Sequence, residues 1–284
     1  MLALAQSIAI NGALLSGLYA LISLGFTMIY GVGRVLNLAH AAYVMLGGYV
    51  YFYCLQVVGI PEPLSMLIAI AVCAGASLAT YVGLVRRYMS NPTIVFVSTF
   101  ILALVINYLV VLIWGMETKN VWPVVAGVTQ FMGQTISNNL LCTLIVSWVC
   151  ISGVLLFVRK THMGRAMRAL AMDRKGAIVS GINPDRVNLL TWTIAGALAG
   201  IAGIFFGSYT YLVPSMWHMP MVMSFAIVII GGLGSIEGTL IASHIVGYMQ
   251  TTTTLAIDER LRGVFALIIM IIVLVVRPKG LFGK

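Results

Sequence analysis

The sequence predicts an all-α, polytopic membrane helical bundle of eight or nine membrane segments, with a broken helix near residues 31–40. Three observations carry this. Of 284 residues, 61% are hydrophobic and 8% charged, at a mean hydropathy of +1.06, whereas soluble domains carry about 25% charged residues. Long runs hold no Asp, Glu, Lys or Arg: Met1 to Gly33, Val35 to Pro61, Pro63 to Val85, Tyr88 to Met116, Asn120 to Val158, Val187 to Ile236, Gly238 to Ile257 and Gly263 to Val276. A spanning helix needs about 20 apolar residues, so most runs supply one span and Val187 to Ile236 supplies two. Finally, the charges fall in the gaps between runs, as the positive-inside rule requires.

Taken in order, the first span covers roughly Ser7 to Tyr30 and is broken by Gly31-Val32-Gly33-Arg34. It has no basic n-region and its charge-free run is too long for a signal sequence, so it is expected to be retained. Asn37-Leu38-Ala39-His40 opens a second span to about Val58, and Pro61-Glu62-Pro63 turns the chain. A third span, about Leu64 to Val85, ends at Arg86-Arg87. Asn91-Pro92 caps a fourth, about Thr93 to Trp114. Glu117 to Ser137 is a polar loop, followed by a fifth span over about Asn138 to Val158. A sixth runs from about Val187 to Gly207, where Gly196, Ala199, Gly200 and Gly203 suggest close helix packing. After a loop with Pro214, Trp217 and His218, Met219 to Gly231 is a short span or half-span. Gly232-Leu233-Gly234-Ser235-Ile236-Glu237-Gly238 is a glycine-rich break. A span over about Thr239 to Thr254, the charged Asp258 to Arg262 and the apolar Gly263 to Val276 complete the chain.

Between the fifth and sixth spans lies a basic island, Arg159 to Arg186, with seven of the sixteen Lys and Arg residues. Gly164 to Val179 reads as one short helix. Gly181 stops it, and Asn183-Pro184 reads as an N-cap with proline at the first helical position of the next. Arg165, Arg168, Met172 and Lys175 share one face of that helix. Asp173 has no basic residue three or four positions away. Such an island either lies on anionic lipid heads or docks a soluble partner, and ordered caps at both ends favour docking.

Function classes can be excluded from what the sequence lacks. There is no GxxxxGK[ST] phosphate loop. Gly232, Gly234 and Gly238 have the wrong spacing for a dinucleotide loop and no strand before them. His40, His162, His218 and His244 sit in different segments with no metal-ligand spacing, and the four cysteines lie in apolar runs as small buried hydrophobes. No constellation suggests catalysis, and no cofactor or metal is expected. The net charge of +9 is carried by loops rather than by a soluble basic face, which argues against nucleic acid.

Polar groups at membrane depth are costly and often functional. Asn37 and His40 lie one turn apart at the glycine-flanked break, either as the end of a discontinuous helix lining a pathway or as an interfacial helix start with His40 in water. Glu237 reads as interfacial, with a pathway role as the alternative. Asn107 and His244 can bond neighbouring helices.

Three stretches, GLYALISLGFTMIYGVGRVLNLAHAAYVMLGGYV, MGRAMRALAMDRKGAIVSGINPDRV and VIIGGLGSIEGTLIAS with the closing VRPKGLFG, resemble the membrane permease subunits of ABC importers for branched-chain amino acids, in the shorter of their two types. The resemblance spans nearly the whole chain in order and is weakest over Glu117 to Ser137. It implies a machine of two permease chains, identical or homologous, two cytoplasmic ATPase subunits and a periplasmic solute-binding protein. On that resemblance residues 159–186 form the cytoplasmic coupling loop of a single transmembrane domain, 1–284, with Gly164, Arg165, Arg168, Asp173, Gly181 and Ile182 as coupling residues. Asn37 and His40 match the element at the family's broken second segment. Tyr43 and Gly47 follow on the same helix as translocation-pathway residues, and Gly232, Gly234 and Glu237 form a gate. Ala41, Met172 and Glu237 stand where the family usually has glycine, an acid and proline.

The expected function is therefore translocation of branched-chain amino acids. The alternatives are the same machine for urea, short amides or aromatic acids, or a self-sufficient carrier or channel. All seven acids fit in loops or at interfaces, which disfavours ion-coupled transport. With Arg34, Arg86, Arg87, the island and the tail residues Arg277, Lys279 and Lys284 inside, thirteen of sixteen basic residues are cytoplasmic. The N-terminus is then outside and the C-terminus inside a bacterial inner membrane.

Overall fold

A computed structural model describes residues 2–283; Lys284, a residue of the basic tail, lies outside them. The elements are α1 (Leu2–Gly33), α2 (Ala39–Phe52), α3 (Glu62–Thr80), α4 (Arg86–Tyr88), α5 (Pro92–Trp114), β1 (Val128–Phe131), β2 (Gln134–Ser137), α6 (Asn138–Lys160), α7 (His162–Met172), α8 (Arg174–Val179), α9 (Pro184–Tyr209), α10 (His218–Gly231), α11 (Ile236–Ala256) and α12 (Val264–Val276). A π-helical turn over Tyr81–Val85 joins α3 to α4 in one rod, and another, Tyr53–Val57, ends α2.

Contacts between helix ends show that successive long helices run back and forth between two ends. At one end, Arg34 after α1 reaches Ala171 of α7, Tyr81 and Arg86 reach Asp185 at the start of α9, and Arg159 of α6 reaches Glu237 at the start of α11. At the other, Gln56 after α2 meets Asn120, Asn139 of α6 meets Ser208 of α9, and Lys119 pairs with Leu212. We call these the basic end and the hairpin end.

Helix α1 is the axis of the bundle, buried along most of its length against α11, α9, α6 and α10. The glycines of α9 let two further helices close on it. A Cβ on Gly47 of α2 would stand 2.9 Å from Gly200, and one on Gly203 would meet the Val44 carbonyl. This is the close packing that membrane helices use where no water drives association, at the glycines where the sequence suggests it. Hydroxyls within the bundle bond back to carbonyls one turn earlier, as Ser16 does to Gly12 at 2.5 Å and Thr251 to Gly247 at 2.9 Å. They therefore cost little in an apolar medium.

Outside the basic island the structure differs from expectation in three places. The all-α reading misses a two-stranded antiparallel hairpin in the polar loop. Met132 and Gly133, both at positive φ, form its two-residue turn, matching the strands' twist. The first helix continues through Gly31 to Gly33, and the left-handed residue is Arg34, at φ 55°. Finally, among the described residues six helices are long and apolar enough to cross a membrane, against the eight or nine segments expected. Helices α2 and α12, of 14 and 13 residues, are shorter than those six, and α11 carries the polar run Gln250 to Thr254.

Candidate functional site

The basic island forms two helices where the sequence predicts one. Thr161 caps α7, its hydroxyl accepting from Gly164 N at 2.9 Å. The break falls on Asp173, which ends α7 and caps α8 by accepting from Lys175 N at 2.9 Å. Asp173 wins over the good helix formers around it because its short carboxylate offers the backbone a competing partner. In consequence Lys175 lies on a separate helix from Arg165, Arg168 and Met172, and the single shared face is not formed. Gly181, at φ 83°, ends α8: its N–H bonds Ile178 O and that of Ile182 bonds Ala177 O. This double closure satisfies the last carbonyls. Asn183 then caps α9 from its side chain at Asp185 N and Arg186 N.

Each residue expected to couple has a distinct environment. Gly164 sits at the crossing of α7 on the last turn of α6, where a Cβ would stand 2.6 Å from Val158 Cα and meet two backbone carbonyls. Arg165, Arg168, Asp173 and Gly181 are exposed, and Ile182 is half-buried. Asp173 joins no ion pair among the described residues. Met172 and Val179 are 87% and 89% exposed, beside Arg174 and Lys175. Two apolar side chains fully displayed among cations, on a segment capped at every terminus, have the composition of a protein-docking surface.

The island is tied to the breaks in the membrane helices. Arg34 donates from Nη2 to Ala171 O at 2.6 Å, linking the end of α7 to the α1–α2 break. Arg159 pairs with Glu237, linking the end of α6 to the glycine-rich break. Glycines 232 and 234 of that break have positive φ, and both pack on backbone: Gly234 on Gly31, and Gly232 on the tail at Gly280 and Gly283. The tail is held there by Leu281 N to Ile230 O and Phe282 N to Gly231 O. Thus Gly232, Gly234 and Glu237 cluster at the basic end. Sequence reasoning missed Thr161 and the role of Arg34. Thr161 was readable as a threonine three residues before Gly164 at a helix start, whereas Arg34 gives no local signal.

Asn37, His40, Tyr43 and Gly47 lie deeper, and all four are buried in the bundle. His40 is not in water. Its Nε2 lies 3.0 Å from Ile22 O and so carries the proton, while Nδ1 has no partner among the described residues. Asn37 accepts from Ala39 N at 3.1 Å and its amide nitrogen has no partner. Tyr43 donates to Thr80 at 2.7 Å. Gly47 contacts α9 at Gly200 and α3 at Cys73. The structure brings Asn37, His40 and Tyr43 onto the start of one helix but separates them from the island and from Glu237. No group of three or more metal-ligating side chains occurs among the described residues.

The comparisons with known proteins bear on this arrangement. The family model described as branched-chain amino acid transport system / permease component matches residues 8–274. The chain is 30% identical to the high-affinity branched-chain amino acid transport system permease protein LivH of Escherichia coli K12, over 96% of this chain and 94% of that protein. It is 28% identical to the permease protein BraD of the corresponding system of Pseudomonas aeruginosa, over 97% and 94%. To the probable branched-chain amino acid transport permease protein LivH of Methanocaldococcus jannaschii it is 29% identical, over 99% and 93%. No solved structure gives a significant match. With a family model covering nearly its whole length, six long apolar helices and full-length relatives, the chain belongs to the branched-chain amino acid transport system permease family and is a multi-pass membrane protein.

Proposed function

We propose that the chain is the membrane-spanning permease subunit of an ATP-binding-cassette importer, moving branched-chain amino acids inward across a bacterial inner membrane. It works with a second permease chain, identical or homologous, two cytoplasmic ATP-binding subunits and a periplasmic solute-binding protein. The basic end faces the cytoplasm, so the N-terminus is outside and the C-terminus inside. The single observation carrying the reading is the capped α7–α8 island with Met172 and Val179 displayed among cations. A soluble ATPase gripping that surface would pull, through Arg34 and Arg159, on the α1–α2 break and the glycine-rich break. The unpartnered nitrogens of Asn37 and His40 at the first break support a pathway role, since such atoms await a donor or acceptor that only a moving helix, water or solute would bring.

The test is reconstitution of the complete complex in proteoliposomes with radiolabelled leucine. Uptake is expected only with ATP and the binding protein, and His40→Leu is expected to lower it while the ATPase subunits remain bound. Uptake by this chain alone, driven by a proton or sodium gradient, would overturn the reading. Uptake unchanged in both His40→Leu and Asn37→Leu would remove the pathway assignment.

A further inference from the structure

At the hairpin end a cavity of about 240 Å³ opens among the start of α1, the start of α6, and the ends of α9 and α11. Its polar lining includes Asn11, Gln250, Glu259 and Arg262, against apolar Leu15 and Leu140. Gln250 is 3% exposed, and neither atom of its amide has a partner among the described residues. The Nε of Arg262 is likewise buried without a partner, and its guanidinium lies over the Tyr209 ring, 5.8 Å from the centroid. Among the described residues neither Arg262 nor Glu259 joins an ion pair. Nor is the charged turn loose. Asp258 caps it by accepting from Arg260 N at 2.8 Å, and Gly263, at φ 87°, closes it into α12.

A buried amide with four open bonding positions and a half-buried, stacked guanidinium without its anion are each costly alone, and beside them the exposed Glu259 carboxylate has no cation among the described residues. They become complementary to one ligand chemistry. The guanidinium matches a carboxylate, the carboxylate matches an ammonium, the amide accepts or donates to either, and the leucines receive an aliphatic side chain. An apolar cavity of about 150 Å³ holds benzene, so one of 240 Å³ has room for a solute of about nine non-hydrogen atoms. We propose that this cavity is the receiving site for a zwitterionic aliphatic amino acid, with Arg262 on its carboxylate, Glu259 on its ammonium and Gln250 between. The site rests on the importer reading, under which the hairpin end faces the solute supply.

The test is equilibrium binding of radiolabelled leucine to the intact complex in lipid nanodiscs without the binding protein. Wild type is expected to bind leucine saturably, and to bind leucinol, which lacks the carboxylate, about tenfold more weakly or worse. Arg262→Gln is expected to lower leucine affinity about tenfold and to abolish discrimination against leucinol, with Arg262→Lys intermediate. Glu259→Gln is expected to lose instead the discrimination against 4-methylpentanoate, which lacks the ammonium. Selective loss of one discrimination per variant cannot come from misfolding, and retention of the ATPase subunits reports assembly. No saturable leucine binding to wild type, or variants that keep both discriminations, would overturn the site. If the complex, moved to proteoliposomes with its binding protein, still takes up leucine with ATP, the importer reading stands without the site; if it takes up none there, both fall.

Discussion

The two ends of the bundle handle polar groups in opposite ways. On the island at the basic end the helix termini are already satisfied: Thr161, Asp173 and Asn183 cap helices, Gly181 closes α8, and Arg34, Arg86 and Arg159 bond within the chain. What is left over there is apolar, Met172 and Val179. At the hairpin end the leftovers are polar and buried, in Gln250 and Arg262. A surface with finished backbone and unfinished apolar contacts is ready for a protein. A cavity with finished walls and unfinished hydrogen bonds is ready for a small polar solute. The difference separates a rigid handle from a receiving pocket, about a bundle length apart.

The rigidity of the handle gives the largest expected effect. Gly164→Val forces a branched side chain into the backbone of α6, where even a Cβ would stand 2.6 Å from Val158 Cα. Overpacking costs about 1–3 kcal/mol and more where backbone must move, so α7 should swing off α6. The ATPase subunits should be lost on purification while the permease stays in the membrane. Gly181→Ala is the control: nothing lies within 4 Å of its Cβ position and only the left-handed φ of 83° is strained, about 1–2 kcal/mol. It should weaken retention far less. Equal retention by Gly164→Val and wild type would show that the handle is not rigid.

A second substitution separates the two roles open to Asp173, its observed cap on α8 and an ion pair with a basic residue of a docked ATPase, for which the lack of a basic residue three or four positions away leaves it available. Asparagine caps about as well as aspartate, whereas alanine loses about 1 kcal/mol of cap. A charge pair desolvated in a cleft is costly to break, about 3–5 kcal/mol, but an exposed one is worth about 0–1 kcal/mol. Asp173→Asn should therefore reduce leucine-stimulated ATP hydrolysis by at least about tenfold, and Asp173→Ala slightly further. Wild-type stimulation in the asparagine variant would make Asp173 a cap and nothing else.

How much of this was readable depends on how local each signal is. Gly181 and Asn183-Pro184 are strong local signals, and the caps form where the sequence predicts them. The glycines of α9 were readable from spacing, because close approach requires the same small residues in any helix pair. The Asp173 break was not, since its neighbours favour helix and one hydrogen bond decides the outcome. The receiving pocket was not readable at all. Asn11, Gln250 and Arg262 come from three segments more than two hundred residues apart at the extremes, and only the packing of α1 against α11 brings them together. His40 shows the same limit. Its burial follows from α1 lying against it at Gly25 and Ile22, which no pattern around residue 40 announces.

The smallest expected effect tests whether the basic end is as finished as it looks. Arg159 and Glu237 pair across 78 positions with side chains 59% and 65% exposed. An exposed pair contributes about 0–1 kcal/mol and is weakened by salt. Glu237 also stands in the first turn of α11, where a carboxylate is favoured by the helix dipole whether or not Arg159 is present. Glu237→Gln should therefore cost slightly more than Arg159→Gln in thermal stability of the isolated permease. The coupling in the double-variant cycle should stay below about 1 kcal/mol and fade at high salt. In the assembled complex the same cycle discriminates further. If the ATPase covers only α7 and α8, the coupling stays small, because the pair remains in water. A rise to about 2 kcal/mol or more on assembly would mean that a partner desolvates it, which would extend the handle from the island to the glycine-rich break and make Glu237 part of the grip.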